Sequence, residues 1–353
     1  MILKNNLPRF NFMKRKTLII IIFFLSIIPN YLSASLTSAP VFIVYHRFGE
    51  SLFPTTNTTI NQLEKQIKTL TSNQYTVLPI ENIINKFTSG SQLADKTIGI
   101  SIDDGYRSIY KEAWPRFQKA KLPFTIFIST ASIDRRTNQY LTWDQIREMR
   151  NAGVTIGHHT HNHDHMISNF SLSNTNTIQK ANLRFKEELG YIPKLFAYPY
   201  GEVSIEVKKL VKNSGFLAAF GQHSGVLANQ SDLFAIPRFA MNGRFGKNDR
   251  FQLVINALPL QTSDFTPLDY IIHKNNPPAI GFTLNNYKFK RINQLHCFMS
   301  HGEEGQVKLL GTNRVEIRTM LPFPKGRTRM NCTLPGPNGR WHWLGRMFFV
   351  RSD

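Results

Sequence analysis

The sequence predicts an α/β fold, a parallel sheet wrapped by helices, followed by a smaller β-rich region. Three observations predict it. Strand-like and helical runs alternate between residues 40 and 245, glycines stand where the helices should stop, and prolines break the chain into short apolar stretches from about residue 250. Such alternation gives βαβ units and most simply an incomplete (β/α) barrel, with functional residues at the C-terminal ends of its strands.

The strand-like runs are residues 41–45, 97–102, 124–129, 154–157 and 195–198. Helical periodicity covers 60–72, 114–120, 142–152, 175–189 and 204–214, and Gly153, Gly190 and Gly215 follow the last three. Beyond residue 250, Pro267, Pro277, Pro278, Pro322, Pro324, Pro335 and Pro337 separate the apolar stretches 279–284, 306–310, 314–321 and 341–350. Short strands between Gly/Pro turns suggest a small β-sandwich. The only cysteines, Cys297 and Cys332, both fall there. A disulfide closing that loop would contribute roughly 3–4 kcal/mol, and two free buried thiols are the alternative. Trp341 and Trp343, with Arg327, Arg340 and Arg346, read either as a sugar-stacking face or as core aromatics.

The first 34 residues carry Lys4, Arg9, Lys14, Arg15 and Lys16, no acidic residue, and an apolar run over 17–28. A basic head and an apolar core of this length fit an export signal, cleaved near Ala34 or retained as an anchor. The run is shorter than the ~20 residues of a spanning helix. Expected divisions are residues 1–34, a catalytic domain over 35–248 and a β-rich domain over 249–353. The net charge of +20 suits an anionic envelope polymer or membrane surface, or simply a solvated surface. No nucleic-acid-binding signature accompanies it, and export argues against such a partner.

Two segments carry chemistry. Ser101-Ile102-Asp103-Asp104-Gly105 ends an apolar run in two carboxylates and a glycine, and His158-His159-Thr160-His161-Asn162-His163-Asp164-His165 follows another strand-like run. Adjacent strand residues point to opposite faces, so Asp103 and Asp104 need the turn at Gly105 to serve one site. Asp104, His159 and His163 then make a two-histidine, one-carboxylate metal set with open positions, suited to hydrolysis, and Asp103 is a natural general base. Taken singly, the first segment reads equally as a turn and the second as a solvated loop.

These motifs resemble those of the polysaccharide deacetylases with a NodB-type domain, carbohydrate esterase family 4, over about residues 40–245. Ser101-Ile102-Asp103-Asp104-Gly105 differs from the family's Thr/Ser-Phe-Asp-Asp-Gly only at Ile102, and His159-Thr160-His161-Asn162-His163 fits its His-Ser/Thr-x-x-His. The resemblance implies a distorted barrel, a divalent metal, most commonly Zn²⁺, held by Asp104, His159 and His163, and Asp103 as base. It leaves His158, His161 and His165 outside the ligand set. Ala197-Tyr198-Pro199-Tyr200-Gly201 stands where the family has Arg-x-Pro-Tyr-Gly, which puts its usual arginine in doubt. That form is similar to the subgroup acting on poly-N-acetylglucosamine, in which the acid is an N-terminal histidine. Here that is His46 in Val44-Tyr45-His46-Arg47, although a lone strand-end histidine reads as structural. Tyr198, Pro199, Tyr200 and Arg238 are the implied substrate-side residues. Arg238 also suits Asp103 as a replacement for the missing arginine. The implied activity is removal of N-acetyl groups from an N-acetylated polysaccharide. A peptidoglycan deacetylase and a non-catalytic envelope glycan-binding protein are the alternatives.

Overall fold

A computed structural model describes residues 1–2, 39–167, 172–228, 231–285 and 292–351. The chain divides into Met1–Ser35 and Leu36–Asp353. The segment expected to direct export lies outside the described residues.

The first sheet is parallel throughout. Its strands are β1 (Val41–Tyr45), β2 (Thr76–Val77), β3 (Thr97–Asp103), β4 (Thr125–Ile128), β5 (Thr155–His158), β6 (Leu195–Ala197), β7 (Ala218–Phe220) and β8 (Phe239–Ala240). They run in the order β8-β1-β3-β4-β5-β6-β7, with β2 also on β3. Every one of the five predicted strands is present. The short β2, β7 and β8 were not predicted, nor were the helices Ile80–Thr88 and Asn248–Ile255. The second of these packs Phe251, Val254 and Ile255 into the barrel core.

Alternation along the strands decides what each residue faces. Ile43, Tyr45, Ile98, Ile100, Ile102, Ile126 and Ile128 join the outer core beneath the helices. Phe42, Phe127, Ala197 and Phe220 share a separate inner cluster. The three inner phenylalanines touch in sequence, Phe42–Phe220 at 5.3 Å and Phe127–Phe220 at 5.6 Å between ring centres. Space for them comes from two glycines. A β-carbon on Gly99 would lie 2.5 Å from the Phe42 ring, and one on Gly157 would lie 2.4 Å from Phe127. Such interiors are close-packed, so these positions tolerate no side chain.

The sheet is drawn towards closure by one segment. The Ile236 amide donates to the Ala219 carbonyl at 3.0 Å and its carbonyl accepts from the Gly221 amide at 2.9 Å, tying it to β7. Three residues on, Phe239 and Ala240 pair with β1. The curled, distorted barrel expected from the sequence is therefore stitched across its opening by residues 236–240, with Arg238 at the middle of the stitch.

The C-terminal part is a nine-stranded sheet: β9 (Leu258–Pro259), β10 (Thr262–Thr266), β11 (Ile271–Ile272), β12 (Ile280–Leu284), β13 (His296–Met299), β14 (Glu304–Leu310), β15 (Arg314–Arg318), β16 (Gly326–Pro335) and β17 (Trp341–Val350). The order is β9-β17-β16-β13-β14-β15-β12-β10, with β11 on β17. The expected sandwich is one continuous sheet around its own core. β14 pairs with β13 through Glu304 and Gly305, then with β15 from Gln306 onward. Phe282, Val315, Met330 and Phe348 fill that core, together with the Cys297–Cys332 disulfide between β13 and β16.

Close backbone contact joins this sheet to the barrel. A β-carbon on Gly345 would fall 1.7 Å from the Ser224 carbonyl oxygen, so β17 can lie there only as glycine. Half-buried Trp343 packs edge-on against Phe239 of the barrel core at 5.1 Å and its Nε1 donates to Asn331.

Candidate active site

The inward register that carries Phe42, Gly99, Phe127, Gly157 and Phe220 continues past the strand ends to His46, Asp103, His159 and Gln222. Their side chains converge at the C-terminal mouth of the barrel, where parallel α/β barrels place their chemistry.

Asp103 ends β3 and is fully buried. Arg238 grips it with both arms, Nη1 to Oδ1 at 2.7 Å and Nη2 to Oδ2 at 2.7 Å. Arg238 is also fully buried, donates from Nε to the Gly221 carbonyl and from Nη1 to Ser101, and lies between the Phe127 and Phe220 rings. Burial pushes the Asp103 carboxyl up, but the Arg238 charge and hydrogen bonds outweigh it, so the net direction is down. Asp103 is an ionised carboxylate held rigidly at the mouth.

Asp104 and Gly105 both take the left-handed conformation, φ 77° and 76°, so the chain turns at the second carboxylate as well as at the glycine. That turn brings the Asp104 carboxylate to the same mouth as Asp103. Its Oδ1 lies 3.4 Å from His159 Nε2 and 3.2 Å from His163 Nε2. The histidine loop is built by its own residues. Thr160 and His163 have positive φ, and the Thr160 hydroxyl accepts the His163 amide at 3.1 Å. The loop is held to the end of β4 by Ser129, whose hydroxyl donates to the His159 carbonyl at 2.7 Å.

The three residues fit a metal ion. One ligand atom from each of Asp104, His159 and His163 lies within 4.8 Å of the others. His159 Nδ1–H donates to the Ala197 carbonyl at 2.7 Å, which leaves the Nε2 lone pair free, and that atom is buried without a hydrogen-bond partner. A second bond of this kind is the usual way a ligating histidine is oriented. An unpaired imidazole nitrogen facing a carboxylate oxygen is a donor set for a cation.

His46 directly follows β1, half-buried, with Nε2 3.4 Å from Gln222 Nε2. Gln222 Nε2 is also 3.4 Å from Asp103 Oδ2, so this amide stands between the two. Burial lowers the His46 pKa, against the opposing pull of Asp104 and Asp103. Gln222 was not predicted, because β7, whose inward register it extends, was itself not legible in the sequence. The Ala197 carbonyl was equally illegible, because a backbone group carries no sequence signature.

Three of the four expected substrate-side residues are buried away from the mouth. Tyr198 shares the outward register of Phe196, is fully buried, and donates its hydroxyl to the Phe234 carbonyl at 2.9 Å. Arg238 lies behind Asp103, out of reach of solvent. Pro199 is buried in the turn. Tyr200 alone borders the mouth, its ring 4.6 Å from that of His163, in a cleft of about 190 Å³ shared with Asp104, Tyr106 and Tyr140. Grooves of about 350 Å³ elsewhere contain none of these residues. Two other histidines of the motif lie apart: His158 among Phe185, Phe196 and Phe216, and His161 on the Thr130 hydroxyl.

The chain is also similar to known proteins in sequence and in fold. Residues 90–219 match the polysaccharide deacetylase family. The chain is 24% identical to YxkH of Bacillus subtilis (strain 168), described as a polysaccharide deacetylase, over 50% of its own length and 63% of the relative's. It therefore spans less than two thirds of that relative. It is 26% identical to the poly-beta-1,6-N-acetyl-D-glucosamine N-deacetylase of Staphylococcus aureus (strain MSSA476), over 52% of this chain and 67% of that one. In fold it is similar to the Streptococcus pyogenes deacetylase PplD, solved with acetate: TM-score 0.57, 16% identity, covering 62% of this chain and 98% of that one. Residues 90–219 thus match the polysaccharide deacetylase family in sequence, and the barrel is similar in fold to a solved deacetylase.

Proposed function

We propose that this chain is a metal-dependent N-deacetylase that removes acetyl groups from N-acetylglucosamine units of a polysaccharide, of the poly-N-acetylglucosamine type. The observation that carries the reading is the convergence of Asp104, His159 and His163 on one point, with the buried, ionised Asp103 beside them. The name of the Staphylococcus aureus relative supports the substrate class.

Asp104, His159 and His163 would hold the ion, and Zn²⁺ suits two nitrogens and one carboxylate. A bound ion supplies polarisation of the acetamide carbonyl and acidification of a water. Asp103, fixed by Arg238, takes the proton of the attacking water. His46 donates a proton to the departing amine, which would otherwise be a poor leaving group. Gln222, between the two, keeps base and acid apart. Tyr200 borders the cleft where the sugar would lie. Among the described residues no helix is long and apolar enough to cross a membrane. Export by the N-terminal basic and apolar segment places the enzyme at the envelope polymer, where the positive net charge suits an anionic surface.

Acetate release from poly-N-acetylglucosamine oligomers, measured with added zinc and after chelation, tests the reading. Turnover that disappears on chelation and returns with zinc is expected. No release from these oligomers or from purified peptidoglycan would overturn the hydrolase reading.

A further inference from the structure

We propose that Arg327, Glu202 and His165 form a positioning chain through which the C-terminal sheet holds Tyr200 and His163 at the metal centre; this rests on the metal-site reading above. Glu202 is 1% exposed. One of its oxygens accepts from His165 Nδ1 at 2.9 Å, and the other lies 3.7 Å from Arg327 Nε. The His165 ring stacks flat on Tyr200, 3.8 Å between centres and 5° between planes. Tyr200 also meets the ring of His163 in a T-shaped contact, 4.6 Å between centres. Arg327 closes the circuit by donating from Nη1 to the Tyr200 carbonyl at 3.2 Å, its guanidinium 5.5 Å from the Tyr200 ring.

Tyr200 needs such support. Its φ is 58°, a conformation that a bulky side chain adopts only when its surroundings impose it. Two groups impose it: the stacked imidazole on the ring and the arginine on the carbonyl. A carboxylate sealed from solvent between a histidine and an arginine orients both, as outer partners of metal ligands do. The arginine belongs to β16, so the C-terminal sheet completes the wall of a site formed otherwise by barrel loops. His165, which the motif leaves outside the ligand set, acquires a role through this stack.

The test is made on the full chain. Zinc affinity is measured by competition with a chromophoric chelator, alongside kcat, KM and the thermal midpoint. Arg327→Ala should weaken zinc binding roughly 10-fold and lower kcat while the thermal midpoint holds. Arg327→Lys should recover part of both, because an ammonium still reaches the Tyr200 carbonyl. Arg318→Ala, exposed at the end of β15 and paired with Glu316 on the same strand, should bind zinc like the parent. Parental zinc affinity in Arg327→Ala, or an equal loss in Arg318→Ala, overturns the proposal. Should Arg327→Ala not fold, Glu202→Gln decides, since it removes the charge facing Arg327. Weakened zinc binding in Glu202→Gln supports the chain, and parental affinity overturns it. If these zinc affinities behave as expected while the parent releases no acetate, the positioning chain stands and the hydrolase reading falls.

Discussion

Arg238 and Asp103 face one another fork to fork inside the barrel, two 2.7 Å hydrogen bonds between side chains that are both sealed from solvent. The pair joins the segment that stitches the barrel to the strand that carries the proposed base. Breaking one partner of a buried pair typically destabilises by about 3–5 kcal/mol, because the other charge is left uncompensated.

Arg238→Ala should therefore lower the unfolding midpoint and nearly abolish acetate release. Arg238→Lys should restore little, since an ammonium cannot make the fork. With Arg238 gone, burial acts on Asp103 against only the weaker pull of His159 and His46 and raises its pKa, so the acid side of the rate profile should move to higher pH. In the parent, the lowered pKa contributes stability above about pH 3.9, lost as pH falls through the folded value. An unmoved profile in a folded Arg238→Ala protein would separate Arg238 from the base.

Asp103→Asn and Asp104→Ala should fail differently. The first should release no acetate while retaining stoichiometric zinc by elemental analysis. The second should lose zinc and activity together. Full zinc in Asp104→Ala would remove Asp104 from the ligand set.

His46→Ala should reduce turnover by roughly 10²–10⁴-fold without changing zinc content, the range for loss of a general acid. An acid must be protonated to act, so the parental rate should fall as pH rises through the His46 pKa, which burial lowers from its ordinary value. The residual rate of the variant should lack that fall. A variant that keeps it assigns the ionisation to another group.

Acid should unfold the protein early, through two histidines. Burial lowers His158 and His223 to about 3, so both are neutral in the fold, whereas the unfolded chain takes up protons below about pH 6.5. Stability is full above that value and falls between pH 6.5 and 3, by about 2 kcal/mol per histidine at pH 5. Chemical denaturation at pH 7 and pH 5 measures this. His158→Phe, in a pocket already lined by phenylalanines, should lose less stability between the two pH values than the parent.

The sequence by itself determined the alternating α/β barrel, the β-rich end and the positions of Asp103, Asp104, His159 and His163. Those are local properties: period-2 and helical patterns, and ligand types within a few residues of a strand end. It also marked both cysteines, since an even count in one region limits the pairing. Tertiary structure alone decided what sits beside what. Arg238 reaches Asp103 from 135 positions further along the chain because residues 236–240 bridge β7 and β1. Register decided that Tyr198 turns outward into the core, although its motif had suggested a substrate contact. Ala197 contributes a backbone carbonyl to His159, and Arg327 reaches Tyr200 from the C-terminal sheet. Each of these depends on packing between segments far apart in the chain, and no local pattern encodes such a meeting.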